Sequence, residues 1–112
     1  MSKKYKDFNK GWGRDIWHAS WISLALSTAK AIDDGCPGLE FSFGQSASYN
    51  PELKVYKNGW HVISVSFEAY GRVDTTPPAQ GFYLKQGKRS FKCNTPEDVL
   101  NLCLPILRQA TV

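Results

Sequence analysis

The chain has 112 residues, of which 42% are hydrophobic and 21% charged, a balance that supports one globular domain with its own core and excludes an intrinsically disordered polypeptide. The formal net charge is +4, and five of the 14 bases but only one of the 10 acids fall in residues 1–14, so the excess belongs to a short leader and the rest of the chain is neutral. Three cysteines with no C-x-x-C pair argue against a disulfide framework and against a zinc site, and no apolar run reaches the length of a membrane span.

The leader, residues 1–14, interleaves bases and aromatics as Lys3, Lys4, Tyr5, Lys6, Phe8, Lys10, Trp12 and Arg14, with Asp7 its one acid. Cations of this kind neutralise phosphates while the rings stack on unpaired bases. A purely solvating tail has no need of the rings, which equally serve to dock the segment on its own domain, and docking is the expectation here. No apolar stretch follows the bases, so the leader does not read as a signal peptide, and with the unpaired cysteines this gives a cytoplasmic expectation.

Residues 15–112 read as a single α+β domain. Asp15 to about Asp33 has helical periodicity, with Trp17, Trp21, Ile22, Leu24, Ala25, Ala29 and Ile32 covering most of the wheel and Asp34-Gly35-Cys36-Pro37-Gly38 ending it. Leu39 to Phe43 alternates with the period of a half-buried strand. Leu53 to Lys57 and Trp60 to Tyr70 are extended runs joined by Asn58-Gly59, whose residues both tolerate the positive φ of a type I′ hairpin turn. Residues 72–80 contain Pro77-Pro78 and form a loop, because proline donates no ladder hydrogen bond. A second hairpin runs from Gly81 to Lys85 and from Lys88 to Cys93 around Gln86-Gly87. Thr95-Pro96-Glu97-Asp98 then starts a C-terminal helix, which Pro105 is expected to kink or end near Leu104. The order predicts a two-layer sandwich: an antiparallel sheet of about five strands, with the N-terminal and C-terminal helices on one face.

The first hairpin carries a conflict. A two-residue turn pairs Lys57 with Trp60, Val55 with Val62 and Leu53 with Ser64, while Tyr56, His61, Ile63, Val65, Phe67 and Ala69 share the opposite face. The second set is the more continuous apolar row and is expected to meet the helices, which leaves Leu53, Val55, Trp60 and Val62 as an outer cluster. A free monomer rarely exposes such a patch without use. Cover by residues 44–51, or a bulge that reverses the facing, accounts for the same pattern. In the second hairpin Phe82, Leu84 and Phe91 face one way, and Tyr83, Lys85, Lys88, Ser90 and Lys92 the other.

Catalytic signals are sparse. His18 follows Asp15 by one helical turn, a spacing common by chance, and His61 on the predicted core face reads as a satisfied buried imidazole. Cys36 lies in a loop, potentially exposed, without a neighbouring base to activate it. There is no phosphate-binding glycine motif and no metal-ligand spacing, so no cofactor and no enzyme activity is expected. The leading expectation is a small cytoplasmic adaptor or inhibitor that binds a protein, or a second copy of itself, through Trp60, Val62, Val55 and Leu53. The alternative is a nucleic-acid-binding protein, more suited to single strands than to duplex, that uses the leader residues named above with Lys85, Lys88, Arg89 and Lys92 of the second hairpin.

Overall fold

A computed structural model of the chain describes residues 4–6, 19–45, 51–67 and 82–110. Its elements in order are β1 (Tyr5–Lys6), α1 (Ala19–Gly35), β2 (Leu39–Gln45), β3 (Pro51–Lys57), β4 (Trp60–Phe67), β5 (Phe82–Gln86), β6 (Arg89–Cys93) and α2 (Pro96–Gln109). Period-two alternation makes β2 to β6 an antiparallel meander in sequence order, and the two-residue β1 joins its edge parallel to β2. Both helices lie on one face, which is the predicted α+β sandwich. The beginning of the first predicted helix, Asp15 to His18, lies outside the described residues, as do the rest of the leader, residues 46–50 and the loop with its flanks at 68–81.

Side chains that share a face line up across the strands. Phe43, Leu53, Val65, Leu84 and Phe91 form one row; Phe41, Val55 and Ile63 form a second; Phe67, Phe82 and Cys93 form a third. Against them α1 presents Trp21, Ala25, Ala29 and Ile32, and α2 presents Val99, Cys103 and Leu107, at the spacings that keep residues on one helical stripe. Phe41, Phe43, Ile63, Val65 and Phe67, the expected core row, are each no more than 1% exposed.

The central hairpin resolves its own conflict by a bulge. Asn58 and Gly59 take φ of 53° and 82°, and Lys57 pairs with Trp60 as the type I′ turn requires. Tyr56 then pairs with His61 but Val55 with Ile63, which leaves Val62 as one extra residue in β4. A slip of one residue exchanges the two faces of a strand, so beyond the bulge Leu53 and Val55 join Ile63 and Val65 on the helix side. Two expectations are thereby corrected. Leu53 and Val55 are fully buried core residues rather than part of an outer cluster, and Tyr56 and His61 turn away from the core, His61 being exposed.

Three smaller differences have similarly local causes. In the second hairpin Gln86 pairs with Arg89, so the turn is Gly87-Lys88. Gly87 alone has positive φ, at 59°, which suits the first central position of a type II′ turn and moves the turn by one residue from Gln86-Gly87. Helix α2 continues through Pro105 to Gln109, because Pro105 and Asn101, whose carbonyl loses its partner, both face solvent. Cys36 is buried rather than exposed: its amide continues the α1 ladder to the Ile32 carbonyl at 2.9 Å and its side chain joins the core.

Part of the leader is docked. The Tyr5 ring stacks on Phe41 at 5.6 Å, the Phe41 amide donates to the Lys4 carbonyl at 2.6 Å, and the Lys4 ammonium meets Asp33 at 2.8 Å and the Leu39 carbonyl at 3.0 Å. Helix α2 begins at the Thr95 cap that the sequence predicts, and the end of α1 is closed by a contact that it does not announce. Thr95 and Asp98 bond each other's backbone amides in a capping box, and the Arg108 guanidinium donates to the Gly35 carbonyl at 2.9 and 3.2 Å, which closes the end of α1.

Two measurements test this core. Val65→Ala is expected to lower stability by about 1–3 kcal/mol, the cost of a partly collapsed cavity, visible as a lower urea midpoint with unchanged m-value. Burial pushes the Cys103 thiol up to about 12, with the charges of Cys93 and Cys36 adding and its own backbone hydrogen bond opposing. An unfolded thiol ionises near 9, so between pH 9 and about 12 the unfolded chain binds fewer protons and stability falls as pH rises. Cys103→Ala should therefore flatten the decline in urea midpoint between pH 8 and pH 10 relative to the parent protein.

Candidate functional site

The tip of the β3–β4 hairpin and the end of α2 are built together. The last carbonyls of a helix lack intrahelical donors and carry the negative end of its dipole, and Lys57 supplies what they need. Its ammonium donates to the Leu107 carbonyl at 2.9 Å and to the Ala110 carbonyl at 3.0 Å. Lys57 therefore reaches toward the helix layer, and Trp60, its cross-strand partner, shares that side. The core has ended at this level of the sheet, and the indole remains 66% exposed.

Val62, Gln86, Ile106, Gln109 and Ala110 line a cleft of about 380 Å³ between β4, β5 and the end of α2. Val62 and Ile106 are half-buried against the core, and the two glutamine amides offer donors and acceptors beside them. None of these residues is ionisable.

Of the predicted contact residues the structure keeps Trp60 and Val62 at this tip and places Leu53 and Val55 in the core. Ile106, Gln109 and Ala110 escape sequence reasoning because Pro105 signals a helix end near Leu104. The signal that points the other way is the apolar pair Ile106-Leu107 followed by Arg108, which continues the helical stripe and supplies a cation for the final turn.

The nucleic-acid candidates separate into three groups. Lys4 and Tyr5 are engaged within the fold, and the backbone of Lys6 pairs with Ser42. Lys85 and Lys92 stand on the outer face of the sheet, opposite the helices, whereas Lys88 is in the turn and the Arg89 guanidinium lies 5.1 Å from the Phe91 ring centre. Lys3, Phe8, Lys10, Trp12 and Arg14 lie outside the described residues, and so do His18 and Asp15.

On that outer face His61 Nε2 lies 2.7 Å from the Ser64 hydroxyl, and the Tyr56 and His61 rings are 5.5 Å apart. Among the described residues no group of three His, Cys, Asp or Glu side chains is placed to hold a metal ion, and no helix is long and apolar enough to cross a membrane.

Lys57→Met keeps the aliphatic stem and removes the helix-end donor. With both acceptors only partly screened from water, the expected loss is about 1–2 kcal/mol. It should appear as a lower thermal midpoint and as faster amide hydrogen exchange confined to the last turn of α2. Comparison with protein-family models, with curated proteins and with solved structures finds no match to this chain, so the reading of its surfaces rests on their own geometry.

Proposed function

We propose that the protein is a small non-enzymatic binding protein of the cytoplasm, an adaptor or inhibitor, that engages a protein partner through Trp60. The observation that carries this reading is the 66% exposure of the Trp60 indole at the β3–β4 hairpin tip, on the helix side of the sheet, where Val62, Gln86, Ile106, Gln109 and Ala110 line a cleft. Completing the burial of such a ring on association releases about 3 kcal/mol, from two-thirds of a roughly 200 Å² side chain at 25 cal/mol per Å². Interface energy concentrates in anchors of this kind, particularly Trp beside a pocket that a partner side chain fills.

Val62 and Ile106 supply the recess, and Gln86 and Gln109 supply polar contacts that orient a partner strand or helix. The other large exposed apolar residue among those described, Leu102 on α2, is 38% exposed. Pre-organisation favours the same reading, because Lys57 ties the hairpin tip to α2 and holds both walls before any partner arrives.

The test is a comparison of Trp60→Ser with the parent protein. Partners captured from lysate after nuclease treatment are identified, purified and titrated individually by calorimetry. The expected outcome is a loss of at least about 2 kcal/mol, or roughly thirtyfold in affinity, with thermal stability unchanged because the ring contributes little to the core. An affinity that does not change, or a partner that disappears on nuclease treatment, overturns the reading.

A further inference from the structure

The outer face of the sheet holds a second arrangement that the Trp60 cleft does not use. In register across five strands run Ser42, Lys54, Ser64, Lys85 and Ser90, so that Ser64 on the central strand has a lysine on either side. Adjacent antiparallel strands place paired Cα atoms about 5 Å apart, which puts the two lysines roughly 10 Å from each other across the serine. Ser64 is 4% exposed, sunk between longer neighbours, and its hydroxyl is held by His61 at 2.7 Å.

These lysines are also unspent. Three other cations are engaged within the fold: Lys4 with Asp33, Lys57 with the end of α2 and Arg108 with the end of α1. Among the described residues Lys54 and Lys85 have no ion pair and no acceptor, although each is half-buried. Two half-buried lysines flanking a hydroxyl make a cradle for a tetrahedral oxyanion, which accepts from all three.

Aromatic rings flank the cradle along both strand directions. Glu40, Tyr56 and His61 form the row on one side, and Gly44, Glu52, Ser66, Tyr83 and Lys92 form the row on the other. Successive residues on one face of a strand are about 6.6 Å apart, the reach from a phosphate to its own base. The two carboxylates on this face, Glu40 and Glu52, stand outside the Lys54–Ser64–Lys85 row. A cationic row between ring-bearing rows is the arrangement that suits a phosphate joined to a planar base.

We infer that the outer face binds a nucleoside phosphate, with the phosphate on Lys54, Ser64 and Lys85 and the base against the Tyr56–His61 ring pair. This site is independent of the Trp60 cleft, which lies on the helix side. The ligand is a mononucleotide or one unit of a single strand, and both sources present the same chemistry to the cradle.

The experiment is fluorescence anisotropy with a labelled oligothymidylate, competed by unlabelled thymidine 5′-monophosphate and, separately, by inorganic phosphate. The parent protein and Trp60→Ser should bind alike. The double variant Lys54→Gln/Lys85→Gln should lower the slope of log affinity against log salt by about 1.4, or 0.7 for each phosphate left without its cation, and Lys54→Arg/Lys85→Arg should restore it. Tyr56→Ala should weaken binding by about fivefold or more through removal of the stacking ring. Competition by the mononucleotide at a concentration matching the strand's own affinity identifies a nucleotide site, and a strand that binds far more tightly identifies single-stranded nucleic acid. Failure of every probe, affinity unchanged in the Gln variant, or competition by inorganic phosphate equal to that of the nucleotide overturns the assignment.

Discussion

One extra residue in β4 decides which side of the central hairpin meets the helices. Without Val62 as a bulge, the turn at Asn58-Gly59 sends Leu53 and Val55 to one face and Ile63 and Val65 to the other, and no layer of helices covers both. With it, the four residues become two adjacent cross-strand pairs with no exposed surface, and the rows built on them extend through Phe41 and Phe43 on one side and Leu84 on the other. The bulge is therefore a condition of the core. Its cost, a local break in the ladder between Val55 and Tyr56, falls near the hairpin tip where fewer strand pairs depend on regularity.

Long cationic side chains hold the layers in register from outside the core. Lys57 reaches from β3 to the end of α2, Arg108 from α2 to the end of α1, and Lys4 from the β1 side to Asp33 near that same end. Each satisfies groups that helix geometry leaves unpaired or a carboxylate that α1 carries, and together they link β3, α2, α1 and the β1 side at one end of the sandwich. The ordinary worth of each is modest because all are partly exposed to water. Their consequence is positional: the walls of the Trp60 cleft belong to elements already fastened to each other.

The sequence made most of the fold legible because its signals are local. Asn58-Gly59, the Thr95-Pro96-Glu97-Asp98 cap, and the period-two rows of β2 and β5 each specify a conformation within a few residues. What escaped depends on contacts that no window contains. Nothing in His61-Val62-Ile63 announces a bulge; it follows from the demand that β3 and β4 bury their apolar residues on one side. Pro105 is a helix breaker by local rule, yet the rule yields where the freed carbonyl faces water and the following turn is fastened by Arg108 and Lys57. Tyr5–Lys6 is too short for any periodicity, and its strand exists because Phe41 and Asp33 wait for it.

The same bulge divides the side chains of β4 between the two faces of the sheet. Trp60 and Val62 lie toward the end of α2, while His61 between them points to the outer face and meets Ser64. In a regular strand Ser64 would share a face with Trp60 and Val62 and would be separated from His61, since alternate residues face the same way. Adding one residue between His61 and Ser64 reverses that relation, bringing imidazole and hydroxyl to one side and leaving the indole on the other. The feature that closes the core thus also assembles the polar outer face and isolates the apolar tip. Neither surface could be moved to its alternative register without unburying Leu53 and Val55, so core stability itself maintains the separation of the two surfaces.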